Sequence, residues 1–129
     1  MVIDMMESTL KVLDDEDREF ADILRRLGMQ RNVAILITCL ANVSEATSRE
    51  IELGAGLKQP EVSIAMRALR GENWVSEREV KTGGKGRPLR IYSLSTPIGE
   101  IIKRLEDEKQ KESAEAIENV QKLRDLALS

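Results

Sequence analysis

Residues 47–94 read TSREIELGAGLKQPEVSIAMRALRGENWVSEREVKTGGKGRPLRIYSL, and the order of parts in this stretch decides the fold. Thr47 and Glu50 stand three apart, the spacing at which each side chain satisfies the other's backbone N–H, so a helix is predicted from there to about Gly54. Gly54 and Gly56 permit the sharp turn between two helices that cross steeply. A second helix is predicted from Gln59, because Pro60 suits the start of a helix, where its missing N–H costs nothing. Val62, Ala65, Met66 and Leu69 share one face of it, and Pro60, Ser63, Ile64 and Arg67 face away. Gly71 stops the helix. Trp74 to Thr82 reads as a strand, 83–88 (Gly-Gly-Lys-Gly-Arg-Pro) as a tight loop, and Leu89 to Leu94 as the returning strand. Helix, turn, helix and two-stranded wing make a winged helix-turn-helix.

Three short phrases carry a family resemblance. They are QPEVS at 59–63, Trp74-Val75 at the start of the first strand, and GKGRPLRIYSL at 84–94. Together they resemble archaeal winged-helix regulators of the broad MarR/TrmB/ArsR kind, over about Asn32 to Leu94. The resemblance implies a transcriptional regulator.

The residues themselves imply binding to duplex nucleic acid. Net charge is −3, but it is unevenly distributed. Residues 1–57 hold six Lys/Arg against eleven Asp/Glu, residues 58–91 eight against four, and residues 97–129 six against eight. A basic segment inside an acidic chain predicts which surface meets DNA. On the outward face of the 59–71 helix, Gln59 suits adenine, Arg67 suits guanine, and Ile64 suits a thymine methyl. Ser63 and Lys58 suit phosphates, as do Ser48 and Arg49 on the preceding helix. Glu61 either neutralises the helix start or accepts from cytosine. In the wing, Lys85, Arg87 and Arg90 complete the candidate DNA contacts. The Gly-Arg-Pro at 86–88 resembles the core of AT-hooks, whose arginine enters a narrow A/T minor groove. An ordinary glycine hairpin with solubilising charges is the plainer alternative, as plain solvent exposure is for the helix face.

The flanking segments predict a small helical body and an assembly surface. At 41% hydrophobic and 33% charged, with only 2% aromatic, the chain has the composition of a soluble domain with a thin aliphatic core. Ile3, Met6, Leu10 and Leu13 recur at helical spacing, either as an amphipathic helix or as scattered residues of a frayed end. Asp14 and Asp15 suit the cap of a helix carrying Phe20, Ile23, Leu24 and Leu27 on one face, ended by Gly28. A core helix follows from about Gln30 to Ala41, and Asn42 to Ala46 connects it to the helix-turn-helix. Beyond the wing, Ser95 or Thr96 suits the cap of a helix opened by Pro97. Its stripe of Ile98, Ile101, Ile102 and Leu105 pauses over a polar stretch, 106–113, and resumes at Ala116, Ile117, Val120, Leu123 and Ala127. A continuous helix there outruns a small core and predicts a homodimer, with the N-terminal segment 1–13 able to join the interface. The alternative is a helix broken near Ser113. The domain division is thus 1–96 for DNA binding and 97–129 for dimerisation.

Other functions find no residues to carry them. The sequence has no histidine and one cysteine, Cys39, inside an apolar run. Cys/His catalysis and the paired cysteines of metal-responsive ArsR-type repressors are therefore excluded. Gly54-Ala55-Gly56 lacks the third glycine of a dinucleotide loop, and 83–85 lacks the Walker spacing. No metal, cofactor or enzymatic activity is expected. No run is long enough for a membrane helix, a lone buried thiol suits the cytoplasm, and nothing in the sequence names a small-molecule effector. The sequence therefore predicts a mainly α protein with a small β-wing that binds double-stranded DNA. The alternative is a winged-helix protein-interaction module of a transcription assembly.

Overall fold

The computed structural model describes residues 13–81, 86 and 88–129. The elements are α1 (Asp15–Arg26), α2 (Arg31–Ala41), β1 (Ala46–Thr47), α3 (Ser48–Ala55), α4 (Gln59–Gly71), β2 (Val75–Val80), β3 (Leu89–Leu94) and α5 (Ile98–Leu128). The architecture is a winged helix-turn-helix, mainly helical, with an antiparallel sheet and an extended C-terminal helix. Two compact units divide at Pro97: Met1–Pro97 and Ile98–Ser129.

In the first unit α2 is the central element and packs against α1, α3, α4 and β3. It is apolar on most sides, and Val33, Ala34, Leu36, Ile37, Thr38, Cys39 and Leu40 are all buried. The one hydroxyl among them, on Thr38, donates to the Ala34 carbonyl at 2.8 Å, which removes the cost of burying it. Burial pushes the Cys39 thiol up to about 11, helped by the Asp17 charge, so it stays protonated and unreactive at neutral pH.

Both helices of the helix-turn-helix start as their sequence dictates. The Thr47 hydroxyl accepts from the Glu50 N–H at 3.1 Å, and Glu50 accepts from the Thr47 N–H at 2.8 Å. The turn rests on one glycine rather than two. Gly54 lies inside α3, and Gly56 adopts the left-handed conformation (φ 69°) that ends it. In α4, Val62, Ala65, Met66 and Leu69 are buried as their spacing predicts. Asn73 then takes a left-handed turn (φ 63°) that leads the chain into the sheet.

Several expectations need correction. The sheet has three strands in the order β1-β3-β2, because Ala46 and Thr47 pair with Tyr92 and Ile91. The 42–46 connection therefore ends in a strand. Trp74 is buried just before β2, which spans Val75–Val80, so neither Trp74 nor Lys81 belongs to the strand. On α1 the buried residues are Ala21 and Leu24, while Ile23 is 45% and Leu27 36% exposed. Asp14 caps that helix through a reciprocal bond with Asp17. The Ser95 and Thr96 hydroxyls donate to the Asn73 carbonyl at 3.0 and 3.1 Å, instead of capping α5. They clasp the turn after α4 to the end of β3.

The second unit is a single unbroken helix of 31 residues, so the break near Ser113 does not occur. At 1.5 Å per residue it is about 46 Å long. Ile101 is buried, Ile98 and Leu105 are partly covered, and Ile102, Ile117, Val120 and Leu123 are exposed. Of the expected N-terminal segment 1–13 only Leu13 is described, half-buried and outside any helix; the rest of it and most of the wing loop lie outside the described residues.

Candidate nucleic-acid interface

The helix-turn-helix presents α4 by its first turns. Lys58 is the residue before the helix, and its backbone N–H donates to the Glu61 side chain at 2.9 Å. That bond gives Glu61 a role within the fold. A carboxylate in the first turn complements the helix dipole and satisfies an N–H that the helix leaves open. Of the two options the sequence left, neutralising the helix start is the one with a partner.

Around Glu61 the outward face is mostly open to solvent. Lys58, Gln59, Pro60 and Arg67 are exposed, Ile64 is 59% exposed, and Ser63 is half-buried. Gln59 Nε2 donates to Ser63 Oγ at 2.8 Å, one helical turn away. On α3, Arg49 is exposed and Ser48 half-buried.

The candidates divide between two surfaces. Ser48, Gln59, Ser63 and Arg90 come together in a cleft of about 530 Å³ between the helix-turn-helix and the sheet, with Val62, Glu79, Pro88, Leu89 and Tyr92. Pro60, Ile64 and Arg67 lie outside it on the same helix, as does Lys58 just before the helix. Lys85 and Arg87 lie outside the described residues.

Within the basic segment the cations are of two kinds, a distinction invisible in the sequence. Arg70 pairs with Glu77, and Arg90 sits 4.0 Å from both Glu77 and Glu79. Arg78 pairs with Glu45 at 3.0 Å. The register explains the cluster: β2 and β3 set Glu79 opposite Arg90 and Glu77 opposite Tyr92 on one face, and α4 brings Arg70 to the same carboxylate. Tyr92 is buried there, and its phenol is pushed up by burial and then by the Glu77 charge. Lys58 and Arg67 on the helix-turn-helix and Lys81 after β2, in contrast, hold no ion pair among the described residues, nor does Arg49 on α3. On the outward side of the helix-turn-helix the described cations are thus left open, whereas Arg90 serves the junction of α4 with the sheet. Sequence reading missed this cluster, and its only trace was the alternation of Glu77, Glu79 and Arg90 at strand spacing.

Among the described residues no group of acidic and cysteine side chains is arranged to hold a metal ion. Nor is any helix there long and apolar enough to cross a membrane.

No family model and no curated protein matches the chain. Solved structures do resemble it. A MarR family regulator from Neisseria meningitidis is 18% identical, covering 84% of this chain and 83% of its own, with a TM-score of 0.48. NadR in complex with 4-hydroxyphenylacetate is 21% identical over 84% of this chain and 79% of its own, also at 0.48. Pex from Synechococcus sp. is 20% identical over 71% of this chain and 95% of its own, at 0.45. None of these lends support to an archaeal affiliation.

Proposed function

We propose that this protein is a sequence-specific, double-stranded DNA-binding transcriptional regulator that acts as a homodimer. In this reading α4 enters the major groove and the 83–88 wing follows the minor groove. The observation that carries it is the pairing of charge: on the outward side of the helix-turn-helix Arg49, Lys58 and Arg67 hold no ion pair among the described residues, and the other described arginines of the basic segment each stand beside a carboxylate. Unpaired cations beside Gln59 and Ile64 supply both halves of recognition, phosphate attraction and contact with base edges. Arg87, between Gly86 and Pro88, suits A/T-rich minor grooves through their concentrated negative potential. The reading assigns the chain no catalytic step, no cofactor and no membrane.

One observation favours a second reading. Ile64 and Ala68 are both exposed on α4, and a protein partner would cover them. Selection of bound sequences from random duplex DNA, followed by titration at several salt concentrations, separates the two. DNA binding should yield a preferred sequence and an affinity that falls steeply with salt, because each neutralised phosphate releases counterions. Absence of both would favour the interaction module.

A further inference from the structure

We propose that Ser63 is a positioning residue for Gln59, holding its amide ready to read an adenine, so that the two residues discriminate that base pair as a unit. This rests on the DNA-binding reading of α4 and extends it to a role that the sequence did not suggest, since Ser63 by itself looks like a phosphate contact. The Gln59 amide donates to Ser63 Oγ at 2.8 Å, and both residues line the cleft between α4 and the sheet. Ser63 is half-buried and Gln59 exposed, so the confined side chain anchors the free one.

The chemistry of the amide makes this useful. A primary amide has two N–H donors and one carbonyl acceptor. Ser63 takes one N–H, and the carbonyl and the second N–H hold no partner among the described residues. That remaining acceptor and donor match the N6 amino group and N7 of adenine, which a glutamine reads through two bonds. A free glutamine side chain is among the most costly to immobilise. Fixing it beforehand removes part of that loss from the binding step, and only at the base pair that Gln59 reads. A hydroxyl on phosphate would strengthen binding to every sequence alike.

The test uses the full chain and a selected duplex in which each base pair is swapped in turn. Gln59→Ala locates the A·T pair whose discrimination collapses. Ser63→Ala should then cut discrimination at that same pair about fivefold to tenfold, while affinity for a scrambled duplex stays within about twofold. Ser63→Thr keeps the hydroxyl and should restore the preference. The double variant should match Gln59→Ala alone, because residues acting as one unit are not additive. Unchanged circular dichroism melting confirms that the variants fold. A Ser63→Ala loss spread evenly over all duplexes, or one that adds to that of Gln59→Ala, overturns the positioning role and leaves DNA reading intact. Retained specificity in Gln59→Ala likewise removes only this pair. If the unaltered protein shows no salt-dependent duplex binding, the parent reading fails together with it.

Discussion

Arg67 and Arg90 belong to the same basic segment, and their surroundings give them different work. Arg67 stands exposed on α4 with no ion pair among the described residues, so Arg67→Ala should leave folding nearly intact. If it forms a two-bond contact to guanine, its loss should cost roughly 1–3 kcal/mol and relax preference at one base pair per half-site. Lys58→Ala should weaken all sequences alike and flatten the salt slope by about one. Titration of both variants on selected and scrambled duplexes at two salt concentrations reads the difference, and identical behaviour would deny Arg67 a base contact. Arg90 lies 4.0 Å from both Glu77 and Glu79 on the neighbouring strand, so part of its charge is offset within the fold. Glu79→Gln should release part of it, raising affinity for any duplex and steepening the salt dependence. Unchanged affinity in that variant would mean that phosphates do not approach this side of the cleft. Such distinctions were not legible in the sequence, where Arg67, Arg78 and Arg90 are equivalent letters and pairing depends on the strand register.

The elements were legible where local chemistry sets them and less so where packing does. The start of α3 followed from Thr47 and Glu50, the start of α4 from Pro60, and its buried face from a spacing of three and four. In contrast, β1 is two residues long and exists only because β3 lies beside it, so no local pattern announces it. Ile23 and Leu27 share a helical stripe with Leu24, yet only Leu24 and Ala21 are buried, because α2 covers one part of that face. The turn between α3 and α4 offers a clean test of which glycine matters. Gly56 has no atom within 4 Å of where a Cβ would stand, so space is not the constraint; its left-handed φ of 69° is. Gly56→Ala should therefore cost about 1 kcal/mol through backbone strain alone, and Gly56→Asn less, since asparagine tolerates that conformation better. Equal midpoints for both variants in denaturant unfolding would contradict a conformational cause.

At the scale of the whole molecule, the described ionisable groups raised by burial are the Cys39 thiol and the Tyr92 phenol, which make stability sensitive to alkali. Each is neutral when protonated, and the unfolded chain releases the thiol proton near the ordinary value of 9.0 while the folded chain holds it until about 11. Between those values the unfolded state binds fewer protons, so stability is fully present below pH 9 and falls as pH rises toward 11. Cys39→Ala should flatten the decline in melting temperature across that window, and an unaltered slope would clear the thiol of responsibility. The larger question is what covers α5. All residues from 111 to 129 are exposed, including Ile117 at 61%, Val120 at 53% and Leu123 at 66%. Ala116, Val120, Leu123 and Ala127 recur at steps of four, three and four, which draws them into one apolar stripe with Ile117 at its edge. A helix about 46 Å long gains little stability from a stripe left in water, and burying that stripe against an identical one is the simplest remedy. The charge balance permits it, since residues 97–129 carry six cations against eight anions and self-repulsion is weak. Full-length protein should therefore scatter light as a dimer at tens of micromolar, about the range in which a modest interface fills. Val120→Glu with Leu123→Glu should shift it to monomer and leave the melting of the first unit in place. On DNA the dimer should select two half-sites about one helical turn apart or a multiple of it, and the monomeric variant a single half-site bound more weakly. A full-length monomer at those concentrations would remove the dimer reading, and with it the expected symmetry of the site.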